Sequence, residues 1–203
     1  MIFWIASYPK SGNTWLRILL SSYYYTKDGF YDESVLKNID QFPQKKFFNE
    51  FNYDPRVVTD TIKFWIKAQE KINQDKKLRF FKTHNACIKK DGNEFTNEKV
   101  SAGCIYVVRD PRDLCISWAY HSNYSIDQSI DFLCNPLSVL KWINKSEYSI
   151  LPKNIFPLQF ISSWSEHIKS WTQNDFGVPK LIIKYEDLII NCLLYTSPSP
   201  RDS

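Results

Sequence analysis

The segment Ile2–Tyr25, IFWIASYPKSGNTWLRILLSSYYY, decides the fold. Its opening run, Ile2 to Ala6, is short and apolar, as a buried strand is. Pro9 ends that strand, Gly12 lets the backbone turn tightly, and helical spacing takes over from Thr14 to Tyr25. Strand, short loop and helix form an anion-gripping junction, because the helix directs free N–H groups and its positive dipole end at the loop. Ser11, Asn13 and Thr14 add hydroxyl and amide groups, and Lys10 adds a full positive charge. The usual nucleotide loop reads G-x-x-x-x-G-K-[ST]. Here Lys10 precedes the glycine, Gly12, and what anion such a loop holds is left open by its spacing. Trp15 has two readings, a core aromatic or a platform for a purine ring.

Three further β-rich runs follow: LRFFKTH (78–84), CIYVVRD (104–110) and KLIIKYE (180–186). All four read as strands buried on both faces. Helical patterns lie between them, at Val57–Asn73 and in PRDLCISWAYHS (111–122). Leu158, Ile161, Trp164, Ile168 and Trp171 recur at helical steps and predict one apolar helix face packed in the core. Strands alternating with helices predict an α/β fold with a central, mostly parallel sheet flanked by helices. Residues 27–55 have no clear period and read as a substrate-side insertion or a long loop.

With 203 residues, 43% hydrophobic and 24% charged, the chain is expected to form one ordinary globular domain. The net charge of +4 suits an anionic small molecule and does not argue for nucleic acid. No apolar run reaches membrane-spanning length, and a strand starting at residue 2 leaves no room for a leader or anchor, so we expect a cytoplasmic protein without stable membrane insertion. Cys87, Cys104, Cys115, Cys134 and Cys192 show no metal-ligand spacing and read as reduced thiols packed like small apolar residues. No metal site is expected. The sequons at Asn123 and Asn144 mean little without a secretion signal.

Two other strand ends carry chemistry. FFKTH places Lys82 and His84 two residues apart on one strand face, where they can give a cation and a base to one reacting centre; the rival reading of such a histidine is structural. VVRDPRDLCISW brings Arg109 to a strand end, where its guanidinium can fork onto a phosphate, and Ser117 in the next helix can share that anion. Asp113 is expected to cap or pair locally, and Arg112 to be an exposed ion-pair partner. Asp110 has a rival reading as the metal-holding acid of a kinase.

Taken together, YPKSGNTW, FKTH, VVRDPRDLCISW and KYEDL resemble, in order, four motifs of the cytosolic-type sulfotransferases, which use 3′-phosphoadenosine 5′-phosphosulfate as sulfuryl donor. The resemblance spans nearly all of residues 1–191 and implies a P-loop-like three-layer fold. It implies that Lys10, Ser11, Gly12, Asn13 and Thr14 wrap the 5′-phosphosulfate and that Trp15 stacks on adenine. Arg109 and Ser117 would hold the 3′-phosphate, and Tyr185 would line the adenine pocket. His84 would take the proton from the acceptor hydroxyl, while Lys10 and Lys82 would stabilise charge on the sulfuryl group and the leaving phosphate. Asn13 stands where many members have Thr, and Asp110 and Arg112 replace a common Asn and Lys.

The reaction so implied is in-line sulfuryl transfer to a hydroxyl or amine of a small-molecule, lipid or sugar acceptor, without a metal. A magnesium-dependent nucleotide or small-molecule kinase and a non-catalytic nucleotide-binding protein are the alternatives. The acceptor and the oligomeric state are not legible; residues 27–55 and 125–157 are expected to shape the acceptor pocket. The end of the chain reads differently. CLLYTSPSPRD (192–202) loses all periodicity and resembles a translated reading frame of a transposase sequencing adapter, with a disordered natural tail as the alternative reading. We expect residues 192–203 to be non-native and the sulfotransferase domain, 1–191, to be incomplete. The resemblance places a basic, glycine-containing segment after YEDL that is not found here. Weak donor binding and poor solubility are the expected consequences.

Overall fold

The computed structural model describes residues 1–30, 33–54, 57, 59–140 and 158–190. In chain order its elements are β1 (Ile2–Ser7), α1 (Asn13–Tyr25), β2 (Asp40–Gln41), α2 (Trp65–Ile72), β3 (Arg79–Thr83), β4 (Lys89–Lys90) and β5 (Asn93–Glu94). They continue with β6 (Ser101–Val108), α3 (Pro111–Ser122), α4 (Ile126–Cys134), β7 (Val139–Leu140), β8 (Gln159–Phe160), α5 (Trp164–Thr172), β9 (Lys180–Lys184) and α6 (Tyr185–Ile190). Short 3₁₀ turns at Glu33–Asn38, Lys45–Phe47 and Ile62–Phe64 join them.

Five strands form one sheet in the order β2-β3-β1-β6-β9, and every pairing is parallel. The central mostly parallel sheet expected from the sequence is therefore present. Alternation along β1 divides its side chains between two layers. Ile2, Trp4 and Ala6 pack with Trp65 and Ala68 of α2 and Trp171 of α5, joined by Phe42, Phe48, Phe81 and Phe95. Ile5 packs on the other face with Leu16 of α1, Ile105, Val107 and Leu188 of α6. Burying each of these large side chains stabilises the fold by roughly 1.5–3 kcal/mol before the entropy of ordering is counted.

β1 leaves the sheet between β3 and β6, so the loops after all three strands rise at one edge. In open parallel sheets this switch point is where ligands sit. A third cluster closes that end: Tyr8, just past β1, packs with Leu114, Cys115 and Trp118 of α3, Leu133 of α4 and Ile161.

Several expectations need correction. The helix read from Leu158 onward starts at Trp164, because the Ser163 side chain accepts from the Glu166 backbone N–H and caps it. Leu158 and Ile161 are buried outside that helix, and Gln159–Phe160 between them pairs with β7. The helix read at Val57–Asn73 opens with the 3₁₀ turn and becomes α-helical at Trp65. KLIIKYE ends as a strand at Lys184, and Tyr185 starts α6. β9 is not buried on both faces: it is the sheet edge, and Leu181 and Ile182 are 54% and 51% exposed. The 27–55 segment, where described, is not simply a long loop. Its β2 extends the sheet beside β3, and Ile39, Phe42 and Phe48 are buried in the core. Residues 141–157 and the tail lie outside the described residues.

Candidate active site

The loop between β1 and α1 bends through two left-handed residues, Lys10 at φ 68° and Gly12 at φ 94°. Only glycine adopts this conformation without steric cost. A Cβ at residue 12 would also overlap the ring of Tyr185, the first residue of α6. Gly12 is the N-cap of α1, gives it no side-chain bond, and no acid occupies the first turn. The first-turn N–H groups therefore face the loop uncapped, as an anion site requires.

The side chains around the loop divide into two groups. The Asn13 amide turns inward, donating to the Ile5 carbonyl at 3.0 Å and to Ser7 Oγ at 3.2 Å. It clamps the loop to the strand, and only its backbone N–H remains on the loop side. Thr14 is exposed. Trp15 is 46% exposed, which removes the core reading and leaves a ring open to stacking. Ser11 is buried, and its Oγ has no hydrogen-bond partner. A buried hydroxyl in that state costs stability unless a ligand meets it.

At the end of β6, Arg109 donates from Nη1 to the Lys10 carbonyl at 2.9 Å and lies over the Tyr185 ring at 4.4 Å. Its Nε is buried without a partner. Arg109, Tyr185 and the loop therefore form one contiguous wall. Ser117 is half-buried on α3, and among the described residues no hydrogen bond joins it to Arg109 or to the loop.

The capping role expected of Asp113 belongs to Asp110, whose carboxylate accepts from the Arg112 backbone N–H at 2.9 Å and pairs with the exposed Arg112 guanidinium. Those hydrogen bonds hold its carboxyl down at about 2. Its backbone N–H donates to Glu186 Oε1 on α6. A carboxylate so engaged is poorly placed for the metal-holding part a kinase needs.

Lys82 and His84 rise from the end of β3, both nearly buried. Burial, and secondarily the charge of Arg17 on α1, brings the Lys82 ammonium down to about 8. Burial, then the Lys82 charge, keeps the His84 pKa well below 6.5, so the imidazole is neutral at pH 7. His84 Nδ1 lies 2.8 Å from the Ser7 carbonyl. A carbonyl only accepts, so Nδ1 carries the proton and Nε2 keeps its lone pair. The His84 backbone is also held: its N–H donates to Gln159 Oε1 at 2.9 Å, and its carbonyl accepts from His167 Nε2 at 3.1 Å.

The structure thus joins Lys10, Gly12, Arg109 and Tyr185 in one set of contacts, and couples His84 to Lys82 beside Ser7. Ser7, Gln159, His167 and Glu186 were not singled out in the sequence. His167 had a signal: it falls between Trp164 and Trp171, on the apolar stripe of the helix, where a histidine must be neutral and hydrogen-bonded. The others are set by long-range packing.

An anion-type loop on a parallel α/β sheet, with His84 beside the end of its first strand and Arg109 bonded to it, defines a P-loop-like α/β protein. The sulfotransferase domain family matches residues 2–192, and the chain belongs to that family. It is 29% identical over 148 residues to cytosolic sulfotransferase 16 of Arabidopsis thaliana, a match covering 68% of this chain and 39% of that protein. The crystal structure of mouse sulfotransferase SULT7A1 complexed with PAP shares the fold, with a TM-score of 0.51 at 16% identity. That likeness covers 96% of this chain and 55% of the mouse chain. The chain therefore spans between about two fifths and just over half of these relatives' lengths.

Proposed function

We propose that the chain moves a sulfuryl group from 3′-phosphoadenosine 5′-phosphosulfate to a hydroxyl or amine of a small-molecule, lipid or sugar acceptor, with His84 as general base. The observation that carries this reading is the 2.8 Å bond from His84 Nδ1 to the Ser7 carbonyl. It leaves a neutral imidazole with its Nε2 lone pair beside a buried cation, which is what an uncharged alcohol needs to lose its proton at pH 7.

The residues fit the donor. Ser11 Oγ and Arg109 Nε are buried and unpartnered, and the α1 N-terminus is uncapped. The donor supplies an activated sulfuryl group on a phosphate. Lys10, Ser11, Gly12, Asn13 and Thr14 enclose that phosphosulfate, Asn13 through its backbone. Trp15 stacks on adenine with Tyr185 at the pocket wall, and Arg109 and Ser117 take the 3′-phosphate. Lys10 and Lys82 hold the negative charge that grows on the leaving side, a kind of stabilisation worth roughly 10²–10³ in rate per donor group. That the mouse sulfotransferase of this fold is complexed with PAP supports a donor of this kind. The domain is assigned to residues 1–191, working in the cytoplasm, with residues 192–203 as a non-native tail.

Thermal stability measured with millimolar 3′,5′-bisphosphoadenosine in the absence of divalent ions tests the reading. A rise in Tm, with none from Mg-ATP, is expected. Stabilisation by Mg-ATP alone would instead favour the kinase.

A further inference from the structure

One buried polar chain in the molecule is not absorbed by the donor site. His167 sits on α5 with its side chain fully buried, packed edge-on against Tyr8 at 5.3 Å between ring centroids. Its Nε2 faces the His84 carbonyl at 3.1 Å, and its Nδ1 faces the Tyr106 hydroxyl at 2.8 Å. The chemistry of these partners fixes every proton. The carbonyl only accepts, so His167 Nε2 carries the hydrogen. Nδ1 is then an acceptor, and the Tyr106 hydroxyl must be the donor. Burial keeps His167 neutral by bringing its pKa down to about 4.

His84 is therefore held at three points: the ring by Ser7, the backbone N–H by Gln159 and the backbone carbonyl by His167. Gln159 and His167 both come from the segment 158–172, far from His84 in sequence, while Ser7 and Tyr106 come from the two strands at the centre of the sheet. We propose that His167 is a positioning residue for His84: through the Tyr106–His167–carbonyl chain it fixes the backbone of residue 84 and so keeps Nδ1 on Ser7 and the lone pair on Nε2. The proposal rests on the reading of His84 as the base, but it concerns the orientation and tautomer of that ring. Satisfied polar networks of this kind rigidify what they hold, and small misplacements of a reacting group are expensive in rate.

The chain has three histidines, His84, His121 and His167, so side-chain nitrogen NMR can follow each imidazole in the intact protein. In the unaltered chain near neutral pH, His84 is expected as a single Nδ1–H form. His167→Phe keeps the packing against Tyr8 and removes both hydrogen bonds; His84 should then exchange between two tautomers, its Nε2 resonance moving toward the protonated position. His167→Gln, whose amide can donate to the carbonyl and accept from the phenol, should restore the single form. An unchanged His84 spectrum in His167→Phe, or no recovery in His167→Gln, would overturn the proposal. If His167→Phe does not fold, Tyr106→Phe decides, since it removes one hydroxyl from the chain: partial loss of the single His84 form supports the relay, and an unaltered spectrum sinks it. The tautomer is read without turnover. A His84→Ala variant that still transferred sulfuryl groups would therefore remove the base and leave the positioning intact.

Discussion

His84 donates from Nδ1 to the carbonyl of Ser7 at 2.8 Å, so the strand that begins the anion loop also sets which imidazole nitrogen is basic. Two motifs distant in sequence act at one point because β1 and β3 are adjacent and parallel, with Ala6 beside Thr83. His84→Ala should lower turnover by roughly 10²–10⁴ while leaving the affinity for 3′,5′-bisphosphoadenosine within about twofold. Near-normal turnover in this variant would show that another group is the base.

Lys82 should make the alkaline side of the rate profile. Burial, then Arg17, brings its pKa down to about 8, so its charge is present below that pH and lost above it. The kcat/KM of the free enzyme should accordingly fall as pH rises through about 8. Lys82→Arg, which stays charged, should move that limb upward even if the maximum rate drops. A limb that stays in place in the arginine variant would belong to another group.

Arg109 joins the loop to α6 by bonding Lys10 and covering Tyr185. If it also takes the 3′-phosphate, its removal should hurt one ligand selectively. Arg109→Met should weaken 3′,5′-bisphosphoadenosine by roughly 10–100-fold, the scale of one or two charge-assisted bonds, and weaken 5′-AMP much less. Equal loss for both nucleotides in a titration would confine Arg109 to supporting the loop.

The parts of this architecture legible in the sequence are those where one physical signal acts alone. β1, the core of β3 and β6 are uninterrupted apolar runs, and α3 begins at a proline, Pro111. β2 was not legible, because Asp40–Gln41 is two polar residues long and pairs only because Ile39 and Phe42 anchor the chain on both sides. At α5 two signals competed. Apolar spacing extended the helix back to Leu158, while Ser163 and Glu166 spelled a cap that the folded chain obeys. α4 was missed although Ser125 and Gln128 form a capping box at its start. Within the site, Lys10, Gly12, Lys82, His84 and Arg109 could be named because their residue types are chemically loaded. The direction of the Asn13 amide could not be read, since an amide serves equally well facing an anion or facing Ile5 and Ser7.

Gly12 is held by backbone and neighbour at once: its φ is 94°, and the Tyr185 ring fills the space a Cβ would take. Gly12→Ala should therefore lower stability by roughly 1–3 kcal/mol from the left-handed conformation alone. Tyr185→Ala in the same chain should recover part of the loss by removing the overlap, but not the backbone part. Full stability of Gly12→Ala in urea unfolding would mean that the loop adopts another conformation.

Stability should also depend on the two buried imidazoles. His84 and His167 are neutral in the fold, both with pKa values below 6.5, His167 at about 4. Between those limits the unfolded chain binds more protons than the folded one, so unfolding free energy rises with pH across the window and levels off above it. Acidification from neutrality towards pH 4 removes on the order of 3 kcal/mol through His167 alone. The Asp75 and Asp110 carboxyls are held low by their arginine partners, so the comparison is made from about pH 5 to 7, where ordinary histidines titrate. His167→Gln, which carries the hydrogen bonds without titrating, should flatten the slope there in urea unfolding measured at successive pH values. A slope as steep as in the unaltered chain would mean that His167 binds protons equally in the folded and unfolded chains, and so is not held neutral by its place in the fold.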